Sequence, residues 1–162
     1  MFQFVRLSAV VGILFFALVS FWPAVKNDHA GPAHVIDAAT ITVGGETHRF
    51  YGVLPLDHVC QRHDGASWPC DHEAMVALAK FLDGRTVKCE VWQGKARDAD
   101  GRFISVCYAG SDDIAVWLVR NGWGKADRDA NRLYNYTSDE GSARFLGKWM
   151  WGGGGQGGGR RQ

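Results

Sequence analysis

A chain of 162 residues with 46% hydrophobic content and 7 Trp can bury a core of one ordinary domain. Its formal charge of +1 argues against the strongly basic face of a dedicated DNA-binding protein.

The N-terminus reads as a membrane-targeting helix over residues 1–25. Arg6 is the only charge before Lys26, and Leu7–Val25 is apolar or small throughout. That length suits a bilayer span and also a signal peptide. No small-x-small cleavage pattern precedes Ala24 or Ala30, which favours an uncleaved anchor over a cleaved signal. Arg6 should stay in the cytoplasm, placing the rest of the chain outside. The expected location is therefore the periplasmic face of an inner membrane, or a periplasmic or secreted form if the signal is cut.

Residues 26–33 read as a short polar linker. Strands are expected at about 34–43, 47–54, 86–92 and 102–108. The Gly44-Gly45 pair between β-branched residues is a strong hairpin signal. A helix is expected from Asp71 to Leu82, with Met75, Leu78, Ala79 and Leu82 as its apolar stripe and Gly84 as its stop. A second should run from about Asp112 to Asn121, capped by Asp112 or Ser111 and stopped by Gly122. A third should run from Ser138 to about Lys148, where Thr137 and Glu140 have capping-box spacing. Residues 151–162 form a Gly-rich tail expected to be disordered. Taken alone, these patterns give only an α+β class.

The chain has 4 Cys, at 60, 70, 89 and 107. An even count in an exported domain reads as disulfides. Three pairings are open. Cys89 and Cys107 lie on strands joined by a hairpin loop, and Cys60 and Cys70 flank one loop, so the expected bridges are 60–70 and 89–107. Four free thiols, or a zinc set of Cys60, His63, Cys70 and His72, are the alternatives. That spacing fits no common zinc pattern. His34, His48, His58, His63 and His72 are expected to be mostly exposed. Trp117, Trp123, Trp149 and Trp151 should be core, with Trp68 more exposed.

Four segments in order carry a resemblance. They are Val35-Ile36-Asp37-Ala38-Ala39-Thr40 and Arg49-Phe50-Tyr51-Gly52-Val53-Leu54-Pro55-Leu56-Asp57, then Asp100-Gly101-Arg102 and Leu118-Val119-Arg120-Asn121-Gly122-Trp123. Together with Ala143-Arg144, Gly147 and Trp149, they resemble the staphylococcal-nuclease-like (thermonuclease) family over roughly residues 33–150. The resemblance implies a five-stranded OB-fold β-barrel with about three packed helices, spanning 34–150. In that family calcium sits between carboxylates and the phosphodiester. A glutamate assists water, and two arginines stabilise the charge that builds on phosphorus.

Carried over position by position, Arg49 and Arg102 match the two arginines, and Asp57 stands in place of the glutamate, one methylene shorter. Asp37 matches the first, non-principal aspartate. Ala39 and Leu54 stand where the ligand carboxylates belong. Calcium needs six to eight oxygens, so no metal or other cofactor is expected. The expectation is therefore a catalytically impaired or inactive module that acts by binding in the cell envelope, in a process such as exopolysaccharide synthesis. Its ligand would be nucleic acid or another phosphate-bearing or anionic molecule, and its protein partner is unidentified. The alternative is an active calcium-dependent endonuclease that hydrolyses DNA or RNA.

Overall fold

The computed structural model describes residues 28–61, 65–92, 97–130 and 134–151. The expected anchor (1–25), His63 and nearly all of the Gly-rich tail lie outside them. In chain order the strands are β1 (Asp28–Asp37), β2 (Thr40–Val43), β3 (Glu46–Phe50), β4 (Val53–Leu54), β5 (Cys60–Gln61) and β6 (Ser67–Trp68). Helix α1 (Cys70–Leu82) follows, then β7 (Thr86–Val91), β8 (Phe103–Ala109), β9 (Asp112–Asp113), α2 (Ile114–Arg120), β10 (Lys125–Ala126) and α3 (Tyr136–Phe145).

The sheet order β3-β2-β1-β7-β8, with β3 also pairing with β8, closes five strands into a barrel. All its neighbouring pairs are antiparallel except β3–β8, which is parallel. Closure leaves none of these five strands with a free edge. Side chains alternate in and out along each strand. Ile41, Val43, Phe50, Val87, Cys89, Cys107 and Ala109 point inward and are at most 1% exposed. Leu78 of α1, Leu118 of α2 and Tyr136 of α3, all 0% exposed, join the same core cluster. Burying one such aromatic or leucine stabilises by roughly 1.5–3 kcal/mol.

Gly44 and Gly45 have φ of 60° and 83° and make the β2–β3 turn expected of them. Elsewhere the boundaries move. Residues 28–33, expected as linker, form the first half of β1, paired with β7 from Asp28↔Glu90 to Pro32↔Thr86. The single strand expected over 34–43 is two strands that turn at Ala38-Ala39. Helix α1 buries Cys70, Ala74, Leu78 and Leu82, whereas Met75 is half-buried and Ala79 exposed. The Cys60–Cys70 bridge ties down the first residue of the helix, which belongs to this buried stripe. Asp113, not Asp112 or Ser111, caps α2 by accepting from the Val116 amide. Asn135 caps α3, so the helix starts two residues before Ser138. Glu140 instead pairs with Arg144 at 2.7 Å.

Both expected disulfides are present, Cys60–Cys70 and Cys89–Cys107, and the described residues hold no free cysteine. The second joins directly facing residues of β7 and β8. Two disulfides fit an oxidising, extracytoplasmic compartment. No described helix is long and apolar enough to cross a membrane.

Trp68, expected to be exposed, is 6% exposed. It stacks on Trp149 with ring centroids 5.4 Å apart, and Trp149 in turn lies 4.0 Å from Trp123. The 60–70 bridge thus holds a loop whose tryptophan packs on the end of the fold. Closing a loop of sequence separation 10 is worth on the order of 2–3 kcal/mol in the chain-entropy model. Cys60→Ser/Cys70→Ser should lower the unfolding free energy by about that amount and red-shift tryptophan emission. An unchanged urea midpoint would show that the aromatic stack holds the loop without the bridge.

Candidate functional site

Strand register places several candidate residues in one row. Asp37 faces Thr40, Thr40 faces Arg49, and Arg49 faces Ile104. Facing residues project from the same side of a sheet. His48 and Phe50, which flank Arg49, point into the barrel, so Arg49 points out. Arg102 lies two residues before Ile104 and shares its parity, placing it diagonal to Arg49 on that outer face.

Asp37 reaches this face because of an irregularity. Val35 pairs with Ile41, an inward residue, and strict alternation would turn Asp37 inward too. The register shifts between Val35 and Asp37, so one extra residue, Ile36, is accommodated. Such bulges re-aim the side chains that follow. The sequence carries no sign of this bulge.

The electrostatics of the two arginines differ. Arg102 is committed: its Nε donates to Asp98 at 2.7 Å and its terminal nitrogen lies 2.8 Å from Asp100. Hydrogen bonding to Asp98, then the charges of Asp98, Asp100 and Asp37, hold its guanidinium above the ordinary arginine pKa. Burial pushes the Asp98 carboxyl up, but the hydrogen bonds from Arg102 outweigh it and hold the group below its usual range. Half-buried Arg49 makes no side-chain hydrogen bond or ion pair among the described residues. The pairing with Asp37 or Asp57 that a purely structural role would suggest does not form.

The two positions that the resemblance aligns with ligand carboxylates are apolar. Ala39 is 2% exposed, and its amide donates to Asp37 Oδ1 at 2.7 Å. Leu54 lies on β4 facing Lys125. Asp57 follows that strand. Its side chain is 82% exposed and sits 3.8 Å from Lys125 Nζ, with no contact to Arg49 or Arg102 among the described residues. Its carbonyl oxygen lies 3.1 Å from Cys70 Sγ, beside the disulfide loop. The fold therefore brings Asp37, Arg49 and Arg102 to one face and directs the Asp57 carboxylate toward Lys125.

One set of polar groups was misjudged from sequence. His48, expected to be exposed with the other histidines, is 0% exposed inside the barrel. Its Nδ1 lies 2.9 Å from Ser105 Oγ and its Nε2 lies 3.0 Å from His29 Nδ1. Burial, then the neighbouring His29, lowers its pKa to about 4, so it is neutral at pH 7. The alternation Thr47-His48-Arg49-Phe50 carried the signal, because Phe50 fixes which parity is inward. His48, Cys89 and Cys107 have ligand atoms within 4.8 Å of one another, but both sulfurs are tied in the disulfide and offer no thiolate. His34 and His72 are exposed as expected, and exposed His58 lies 2.6 Å from Asp71.

No family model matches the chain, and no curated protein matches it.

Proposed function

We propose that this protein is a thermonuclease-like OB-fold module of the cell envelope that binds a phosphate-bearing ligand on its Arg49 face and has lost efficient hydrolysis. The observation that carries this reading is the row Asp37–Thr40–Arg49. It presents a guanidinium without a hydrogen-bond or ion-pair partner among the described residues, beside Ala39, where the family places a ligand carboxylate. A planar guanidinium suits bidentate phosphate recognition. A hydrolytic site would also need a cation to offset the charge of the transition state. Asp37 is the one carboxylate in that row, and it already accepts a backbone amide. Asp57 is spent on solvent and Lys125. The five-strand barrel closed by a parallel β3–β8 pair supports the OB-fold assignment. The two disulfides and the apolar N-terminus support an inner-membrane-anchored domain facing the periplasm. An accessory role in exopolysaccharide synthesis is consistent with such a module.

The test is calcium titration and cleavage of single-stranded DNA. The expected result is no calcium binding at millimolar concentration and no calcium-stimulated cleavage. Each missing carboxylate removes several kcal/mol of short-range attraction for a divalent ion, even at an effective dielectric of about 20. Ala39→Asp, Leu54→Asp and Asp57→Glu together should raise cleavage. Arg49→Ala should weaken binding of a single-stranded oligonucleotide by about tenfold, the loss of one charge-assisted contact. Calcium-dependent cleavage by the unaltered chain, abolished by Arg49→Ala, would establish the endonuclease alternative and a calcium cofactor instead.

A further inference from the structure

A second concavity lies at the far end of β8 from Arg102. Tyr108 is six positions beyond Arg102, which immediately precedes the strand, roughly 20 Å away at the usual rise. The groove encloses about 690 Å³ between β8, the end of α1, α2 and the residues leading into α3. Its walls are aromatic. Phe81 and Trp117 stack with centroids 4.1 Å apart, and Tyr134 meets Tyr136 edge-on at 5.3 Å. Tyr108 completes the lining.

Among the described residues, the charges at this groove do not cancel. Asp112 is answered by Arg85 at 2.6 Å, and Arg120 by Asp139 at 3.0 Å. Asp113 is left over. Its carboxylate accepts the Val116 amide at 3.1 Å and also the Ala115 amide, and forms no ion pair among the described residues. Burial holds its carboxyl above the ordinary carboxylate range, and burial, then the Asp113 charge, raises the phenols of Tyr108 and Tyr136. An anion kept from water without a counter-charge is costly. A helix cap does not require it, since neutral Asn or Ser caps equally well. Phe81 is stacked on Trp117 and carries the Arg85 guanidinium 4.4 Å from its ring centroid, so an aromatic ring already holds a cation at this edge. Tyr108, Trp117 and Tyr134, beside a carboxylate with no ion pair among the described residues, are the chemistry that recognises an organic cation, through the ring quadrupoles and one full charge. A hard metal ion would need several oxygens here. A phosphate or other anion would be repelled.

We propose that the groove bounded by Phe81, Tyr108, Asp113, Trp117 and Tyr134 is a binding site for a small organic ammonium ion. This site is separate from the Arg49 face and independent of the function proposed for that face.

The test uses the full chain in a non-ionic, sugar-headed detergent, titrated with choline and with its neutral isostere 3,3-dimethylbutan-1-ol. Binding is followed by two-dimensional NMR of the tryptophan indole groups. Choline should bind saturably and shift the Trp117 indole, while the neutral isostere binds at least tenfold more weakly. Asp113→Asn keeps the cap and should weaken choline at least tenfold without lowering the urea midpoint. Tyr134→Ala, at a half-exposed wall position, should weaken it several-fold. Equal binding of choline and the isostere would overturn the proposal. So would choline affinity unchanged in Asp113→Asn, shifts confined to another surface, or no saturable binding in the millimolar range.

Discussion

Gly52→Ala is expected to destabilise the domain by about 2–5 kcal/mol, a large share of the stability of an ordinary marginal domain. Two independent effects meet at this residue. Its φ is 91°, where a side chain strains the backbone by roughly 1–2 kcal/mol. A Cβ there would also lie 2.4 Å from Tyr136 Cε2 and 2.5 Å from Cζ. Tyr136 is 0% exposed and cannot swing away into solvent. Forcing a methyl group into such packing adds roughly 1–3 kcal/mol. Gly52 also accepts the Asp127 amide through its carbonyl, which fastens β10 beside β4. Urea denaturation of the variant measures the loss. Tyr136→Leu in the same background removes part of the obstructing ring and should recover some of it. A midpoint shift below about 1 kcal/mol in Gly52→Ala would show that the Tyr136 ring yields easily, contrary to its burial.

What could be read from sequence divides along a physical line. The Gly44-Gly45 turn, the 89–107 bridge and the existence of the three helices are local matters. Each depends on residues close in sequence or joined by one hairpin, where turn chemistry and spacing decide. The β1–β2 turn at Ala38-Ala39 was missed because neither residue is a turn former; the turn is held by Asp37 accepting the Ala39 amide. The rotation of α1 is not legible because the pattern offers two adjacent stripes, and the one that is buried contains Cys70, held by the Cys60–Cys70 bridge. Trp68 could not be placed, because its burial depends on Trp149, eighty-one positions along the chain. At the candidate site, the outward face of Arg49 follows from alternation once Phe50 is taken as core. Arg102 and Asp37 join it only through the parallel β3–β8 pairing and the bulge at Ile36, both long-range facts. The direction of Asp57 toward Lys125 depends on β4–β10 pairing, which two-residue strands do not announce.

His48 supplies a pH dependence whose window lies above that of the carboxylates. Its folded pKa, about 4, lies below the ordinary 6.5, because burial and then the charge of His29 disfavour the protonated ring. The native state therefore binds this proton less readily than the unfolded chain. Stability is fully present above pH 6.5 and falls as the pH drops from 6.5 to 4. At 1.36 kcal/mol per pH unit the total loss approaches about 3 kcal/mol. Asp71 and Asp98 are held below their usual range by His58 and Arg102 respectively, and act at still lower pH. Asp113 runs the other way, since burial holds its carboxyl up and its protonation relieves the fold. His58 also favours the fold as it protonates, but it is fully exposed and its pair with Asp71 is well screened. The expected result is a urea midpoint that falls steadily between pH 7 and pH 4.5. His48→Asn retains a polar group for Ser105 and lacks the titration, so its midpoint should change over that range by at least 1 kcal/mol less than the parent's. Parallel pH profiles for the two proteins would mean that the His29–His48–Ser105 chain opens to water and protonates without disturbing the barrel.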